Sequence, residues 1–196
     1  MAGVNVICRN DVKVRDKSLA CVAVDAGLAY AIAHKMNLLQ VIGDFDSLKS
    51  SAYLQYRDIL IKAEAEKDVS DLQLALTYLA DLLEPVYVYG ALGKRMDHCL
   101  VNLRLCYYSS LKIHLIDDYN EIYALDSGRH EIAKTAFKYV SFFTFEQCSL
   151  TLQGFKYPLQ DYCLRANDNL TLSNEISGAK ATIILEGRCL VFLSKD

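Results

Sequence analysis

The sequence predicts two domains of different class, a mostly parallel α/β domain over residues 1–126 and a small all-β domain over residues 127–196. Three observations carry this reading. In the first part, short apolar runs alternate with longer segments of helical spacing. After Gly128 the helical spacing stops, and turn residues divide a series of short apolar or alternating runs. Finally, 53% of the 196 residues are hydrophobic, enough for one large core or two small ones.

The elements follow in order. Six runs read as buried strands: Val4–Cys8, Leu19–Val24, Leu38–Ile42, Ile59–Ile61, Val86–Tyr89 and Lys112–Ile116. Between them, helical spacing covers Gly27 to Met36, a segment opening at Ser47, and a segment after Ser70 with Leu72, Ala75, Leu76, Leu79 and Leu83 on one face. A further helix covers about Arg95 to Tyr107. Ser70 is a good N-cap, and Pro85 stops the chain before the next strand. Strand–helix alternation of this kind predicts a Rossmann-like parallel sheet covered on both faces. In the second part the runs are Val140–Phe145, Ser149–Leu152, Asn169–Leu172, Ala181–Leu185 and Cys189–Leu193. Gly154, Asn167-Asp168-Asn169, Ser177-Gly178 and Glu186-Gly187 separate them, which suits a small sandwich or barrel. The change of rhythm near Asp126-Ser127-Gly128 marks the boundary.

Composition excludes several functions. A net charge of −3 argues against a nucleic-acid footprint, which needs a basic face. No window approaches the roughly 18 consecutive apolar residues of a membrane span. Met1 to Arg9 lacks the charged-then-apolar pattern of a secretory signal. The seven cysteines are odd in number and none is spaced Cys-x-x-Cys, so they read as buried thiols in a reducing cytoplasm rather than as disulfides or a zinc site.

In an open parallel sheet, ligands bind beyond the carboxyl ends of the strands. The second strand ends in Asp25-Ala26-Gly27, and the third in Gly43-Asp44-Phe45-Asp46-Ser47. The fourth leads toward Lys67-Asp68-Val69-Ser70-Asp71. The fifth ends in Gly90-Ala-Leu-Gly93-Lys94-Arg95-Met-Asp97-His98, and the sixth in Asp117-Asp118. Acids, glycines and a Lys-Arg pair are thereby expected on one rim.

Each group has two readings. Asp44 and Asp46 can share a divalent cation, or cap the helix that follows. Asp68 and Asp71 can hold a metal beside Lys67, or compensate the dipole of the helix after Ser70. Lys94 and Arg95 sit in a glycine-softened turn that suits phosphate, although the spacing is not that of a P-loop and no Gly-x-Gly-x-x-Gly fingerprint is present.

Five segments together resemble the thiamine pyrophosphokinase family. Gly43-Asp44-Phe45-Asp46-Ser47 is similar to its Gly-Asp-Phe-Asp-Ser signature, and Lys67-Asp68-Val69-Ser70-Asp71 to its Lys-Asp-x-Thr-Asp motif. Gly93-Lys94-Arg95-Met96-Asp97-His98, with Asn102 one turn on, resembles Gly-Gly-Arg-x-Asp-His. Gly154-Phe-Lys-Tyr157-Pro-Leu and Ser173-Asn174-Glu175 resemble two signatures of the second domain. Departures are Ala26 for a glycine, Ser70 for a threonine, Lys94 for the second glycine, and the absence of any tryptophan.

The resemblance implies an α/β catalytic domain, a β-sandwich vitamin-binding domain and a cytoplasmic homodimer whose sites are shared between subunits. It implies ATP as co-substrate and Mg²⁺ as the metal, held by Asp44, Asp46 and Asp71 with Asp68 as an outer ligand. Asp25, Gly27, Asp44, Lys67, Lys94 and Arg95 are then expected to bind ATP. Asp71, Asp46 and Arg95 are expected to serve the transfer step. Asp97, Ser173 and Asn174 are expected to hold thiamine. Two other classes share part of the pattern. A sugar-nucleotide transferase also uses Asp-x-Asp but usually needs a larger acceptor domain, and a nucleotide-sensing module would need fewer charges.

Overall fold

The computed structural model describes residues 3–43, 56, 58–62 and 69–196, in two compact units. The first comprises 1–105 and 109–117, the second 106–108 and 118–196.

Among the described residues the first unit is built on six parallel strands, β1 (Val4–Ile7), β2 (Cys21–Val24), β3 (Leu38–Gly43), β4 (Leu60–Lys62), β5 (Val86–Tyr89) and β6 (Ile113–Ile116). They lie in the order β6-β5-β1-β2-β3-β4. The chain therefore leaves β1 in one direction as far as β4, then returns to its other side as β5. The break in winding between β1 and β5 is the point at which such sheets open a crevice. Both β1 and β2 are buried at every residue, which is why β2 reads as an unbroken apolar run and β1 as one broken only by Asn5, whose buried amide donates to Asp16 O at 2.8 Å.

Among the described residues three helices accompany the sheet: α1 (Gly27–Ala33), α2 (Asp71–Tyr78) and α3 (Met96–Tyr108). Leu28, Tyr30 and Ala31 of α1 join Ile7, Cys21, Ala23 and Val41 in one core cluster. The first residue of α1 has to be glycine. A Cβ on Gly27 would lie 1.8 Å from the Ile7 carbonyl oxygen, closer than any repacking could relieve. Ser70 caps α2 as expected, its hydroxyl accepting from Gln73 N at 3.2 Å. The helix ends at Tyr78, however, and Leu83, expected on its apolar face, is 83% exposed. The helix expected from Ser47 lies outside the described residues.

The second unit is antiparallel. Its strands are β7 (Asn120–Ala133), β8 (Tyr139–Phe143), β9 (Gln147–Gln153), β10 (Leu159–Arg165) and β11 (Lys180–Ser194). β11 pairs with β7 along its whole length, with β9 through its first half and with β8 through its second. Ile183 and Leu185 from the first half and Cys189, Val191 and Leu193 from the second enter one core cluster, so the two halves fold over a shared interior.

Three expectations are corrected here. Ala181–Leu185 and Cys189–Leu193 belong to a single strand, because Glu186-Gly187 forms a bulge and not a turn. Opposite it, Ser127 Oγ accepts from Gly187 N at 2.8 Å and lies 3.1 Å from Gly187 O, to which it donates. The bulge places two residues of β11 against one of β7, so β7 turns Tyr123 and Leu125 inward before that position and Ile132 inward after it. The division between units accordingly falls at 117/118 and not at 126/127, where β7 runs straight through. Asn169–Leu172 is a turn segment, pinned by the buried Thr171 hydroxyl donating to Phe142 O, while β10 supplies the strand that no apolar run announced.

Candidate active site

At the carboxyl ends of β1, β2 and β5 lies a cleft of about 280 Å³. Cys8 and Arg9 enter it from β1, Val24 and Asp25 from β2, and Ser70 and Asp71 from the start of α2. Gly90, Ala91, Gly93, Lys94 and Arg95 come from the turn after β5, and His98 and Asn102 from α3. Asp25 links its neighbours. Its N–H donates to Ile42 O at 2.9 Å and its carbonyl accepts from Leu28 N at 3.2 Å, joining the end of β2 to β3 and to the start of α1. Its φ of 47° is one that aspartate tolerates better than most residues.

The turn after β5 is shaped for an exposed cationic tip. Gly90, Gly93 and Lys94 all have positive φ, of 85°, 82° and 56°. The lysine therefore occupies a left-handed position that costs a side chain about 1–2 kcal/mol, which accounts for a glycine there in the resembling motif. From beneath, the buried Asn102 amide donates to Ala91 O at 2.7 Å and holds the turn to α3.

Arg95 precedes α3, and its guanidinium meets Asp97, Nη2 to Oδ2 at 2.6 Å and Nε to Oδ1 at 3.2 Å. Asp97 Oδ1 also accepts from His98 N at 2.9 Å. The Arg95 bond first and the His98 N–H second hold the Asp97 carboxyl at about 2. A basic first turn, which by itself opposes the helix dipole, thus carries its own anion. On the cleft floor, burial above all pushes the Cys8 thiol up to about 12, with Asp25 and Asp71 adding to it, so Cys8 stays a neutral thiol.

Of the expected ATP and metal residues, Asp25, Asp71, Lys94 and Arg95 are gathered in the cleft. Gly27 is not in its lining; its part is the close approach of α1 to β1. Asp97 stands outside the lining, on Arg95. Asp117 and Asp118 are not in the lining either. Asp44, Asp46, Lys67 and Asp68 lie outside the described residues. Sequence reasoning passed over Arg9 and Cys8. The signal was there, an arginine directly after the first strand, but the strand-end reading began with the second.

The second unit brings two of its motifs together. The buried Asn174 takes Tyr157 N at 3.0 Å and Glu175 N at 2.9 Å on Oδ1, and donates from Nδ2 to Tyr157 O at 2.8 Å. Lys156 pairs with Glu175 at 2.9 Å across the same junction. Ser173, exposed and with φ of 57°, turns the chain, its N–H donating to Ser141 Oγ at 2.8 Å. Tyr157, Leu170 and Leu172 are exposed in the same two segments.

The sequence matches two family models, "Thiamin pyrophosphokinase, catalytic domain" over residues 13–116 and "Thiamin pyrophosphokinase, vitamin B1 binding domain" over residues 129–190. The first alone spans more than half of the chain. The chain belongs to the thiamine pyrophosphokinase family. A thiamine pyrophosphokinase of Bacillus subtilis (strain 168) is 32% identical over 192 residues, covering 91% of this chain and 88% of the relative. The crystal structure of thiamine pyrophosphokinase from Bacillus subtilis superposes with a TM-score of 0.86 at 27% identity, over 99% of both chains. That from Geobacillus thermodenitrificans gives 0.85 at 25% identity, over 100% of this chain and 98% of the other. The catalytic-domain match of the thiamine pyrophosphokinase family contains the cleft from Val24 to Asn102, and the vitamin B1 match contains both segments joined by Asn174.

Proposed function

We propose that this protein transfers the diphosphate of ATP to the primary hydroxyl of thiamine, giving thiamine diphosphate and AMP. The observation that carries the reading is one chain that bears both family domains in order, with a phosphate-type cleft at the switch point of the first. In the reaction the thiamine hydroxyl oxygen attacks the β-phosphorus. The bond from that phosphorus to the oxygen bridging the α-phosphorus breaks, and AMP departs with the electron pair. Such transfers depend mainly on positioning and charge neutralisation. Asp71 orients the hydroxyl and accepts its proton. Arg95, Lys94 and Lys67 neutralise phosphate charge, while Asp25 lines the nucleotide crevice. Ser173 and the one amide N–H of Asn174 left over from the Tyr157 junction face the vitamin, with Asp97 assisting.

The charge balance favours a metal. Among the described residues, Arg9, Lys94 and Arg95 at the cleft and its rim stand against Asp11, Asp25, Asp71 and Asp97. A polyphosphate needs a cation with it to enter that balance. Among the described residues no three His, Cys, Asp or Glu side chains converge on one point. Mg²⁺ does not require that, since it is usually held by one or two carboxylates plus phosphate oxygens. Asp44, Asp46 and Asp71 would hold it, with Asp68 outside. When bound it offsets phosphate charge and orients the phosphate oxygens.

A homodimer with shared sites is part of this reading, supported by the exposed Met96, Leu100 and Val101 on α3. The seven free cysteines suit the cytoplasm, and among the described residues no helix is long and apolar enough to cross a membrane. The deciding experiment is AMP release from ATP and Mg²⁺ with and without thiamine, with pyrimidine alcohols as competitors. AMP formation that does not depend on thiamine would sink the assignment.

A further inference from the structure

Arg9 enters the cleft from the end of β1, next to the switch point of the sheet. Its guanidinium is fixed on one edge by Asp11, with Nε donating to Oδ1 at 2.8 Å and Nη2 to Oδ2 at 2.5 Å. Nη1 reaches Leu92 O at 3.4 Å. The stem lies against the turn after β5, where a Cβ on Gly90 would meet Arg9 Cβ at 2.9 Å. Asp11 Oδ2 also holds Lys94 Nζ at 3.3 Å, although Asp11 is not itself in the cleft lining. One carboxylate behind the cleft therefore ties together cations from two loops. The Arg9 side chain is only 26% exposed, against 69% for Lys94, so it is the more firmly held of the two.

We propose that Arg9 is a phosphate-binding residue of this cleft, and that Asp11 is the positioning residue that aims Arg9 and Lys94 at the polyphosphate. The proposal rests on the ATP-dependent reading above and adds residues outside its motifs. Asp11 occupies the Nε–Nη2 edge of Arg9 and Leu92 O takes one Nη1 hydrogen, which leaves one hydrogen on each of Nη1 and Nη2 for phosphate oxygens. The same bond removes most of the rotamer freedom that an unpaired arginine would lose on binding.

The role of Asp11 can be read from a sign. As a bare charge it repels a polyphosphate, so its neutralisation would tighten binding. As a positioner it must be present, so its neutralisation weakens binding. The test is equilibrium calorimetry of inorganic tripolyphosphate and of Mg-ATP on the full chain without thiamine, for the natural protein and the variants Arg9→Gln, Arg9→Lys, Asp11→Asn and Asp11→Glu. Arg9→Gln should weaken tripolyphosphate about 10-fold and flatten its salt dependence, with Arg9→Lys falling between. Asp11→Asn should weaken it about 3-fold, and Asp11→Glu should restore most of that. The KM for thiamine should stay within about 2-fold throughout, as expected for residues confined to the phosphate end. Unchanged affinity in Arg9→Gln, or tighter binding in Asp11→Asn, overturns the proposal. So does a loss in Arg9→Lys and Arg9→Gln that merely follows a fall in thermal midpoint. A natural protein that binds tripolyphosphate through Arg9 yet releases no AMP with thiamine would sink the proposed reaction and leave this site standing. One that binds neither polyphosphate overturns this site.

Discussion

Asn174 and Tyr157 are joined by a double hydrogen bond, Tyr157 N to Oδ1 at 3.0 Å and Nδ2 to Tyr157 O at 2.8 Å. A side-chain amide thus pairs with a backbone amide as a neighbouring strand would. Removing it orphans both polar groups of Tyr157. Asn174→Ala should cost about 2 kcal/mol in denaturant unfolding, within the range for stranded polar groups. It should also raise the KM for thiamine more than that for ATP. Equal effects on the two substrates would contradict a vitamin-side role.

Asp71 stands in the first turn of α2, which Ser70 caps. Its contribution to the helix is that of one first-turn acid, about 0.3–1 kcal/mol. Asp71→Ala should therefore leave the thermal midpoint within a few degrees while turnover falls at least about 100-fold. Near-normal turnover would remove Asp71 from the transfer step.

Lys94 has φ of 56° and reaches Asp11 at 3.3 Å. Lys94→Gly relieves the left-handed strain but frees the unfolded chain and loses an exposed ion pair. The three terms leave a change within about 0.5 kcal/mol of zero, or slightly stabilising. ATP binding should weaken a few-fold. A variant that is clearly less stable would show that the ion pair, and not the backbone, dominates at this turn.

Asp11 and Asp97 are both held at about 2, down from 3.8, chiefly by Arg9 and Arg95 respectively. A carboxyl depressed in the folded state stabilises above its unfolded value and loses that contribution as pH falls through the folded one. Acid unfolding followed from pH 4 to pH 2 should therefore be shallower in an Asp11→Asn, Asp97→Asn double variant than in the natural protein. Identical profiles would show that neither pair persists in solution.

The parallel sheet was legible because its central strands, Val4–Ile7 and Cys21–Val24, are buried at every residue, and such strands read as apolar runs, broken here only by Asn5. β7 and β10 were not. β10 buries only Leu164, and β7 exposes five of its central residues near the bulge, so neither shows a clean alternation. That Asp25, Asp71, Lys94 and Arg95 share one cleft was legible because strand ends and helix starts can be read along the chain. The Arg9–Asp11–Lys94 cluster was not, because its last bond joins Asp11 to Lys94, 83 positions apart in the sequence, as Arg9 and Leu92 on the same two loops are. The double bond from Asn174 to Tyr157 was hidden for the same reason, since neither segment by itself shows that the other needs it.

The extra residue at Glu186-Gly187 acts as a parity switch for the long ribbon. Pleated chains alternate sides residue by residue, so every side chain beyond a bulge owes its side to that single insertion. Loss of one residue between Leu185 and Arg188 would turn Cys189, Val191 and Leu193 away from the core cluster they share and put Leu190, Phe192 and Ser194 in their place, unless β7 slipped in step. Length changes in this part of the chain are therefore tolerable only in pairs, or when both strands change together.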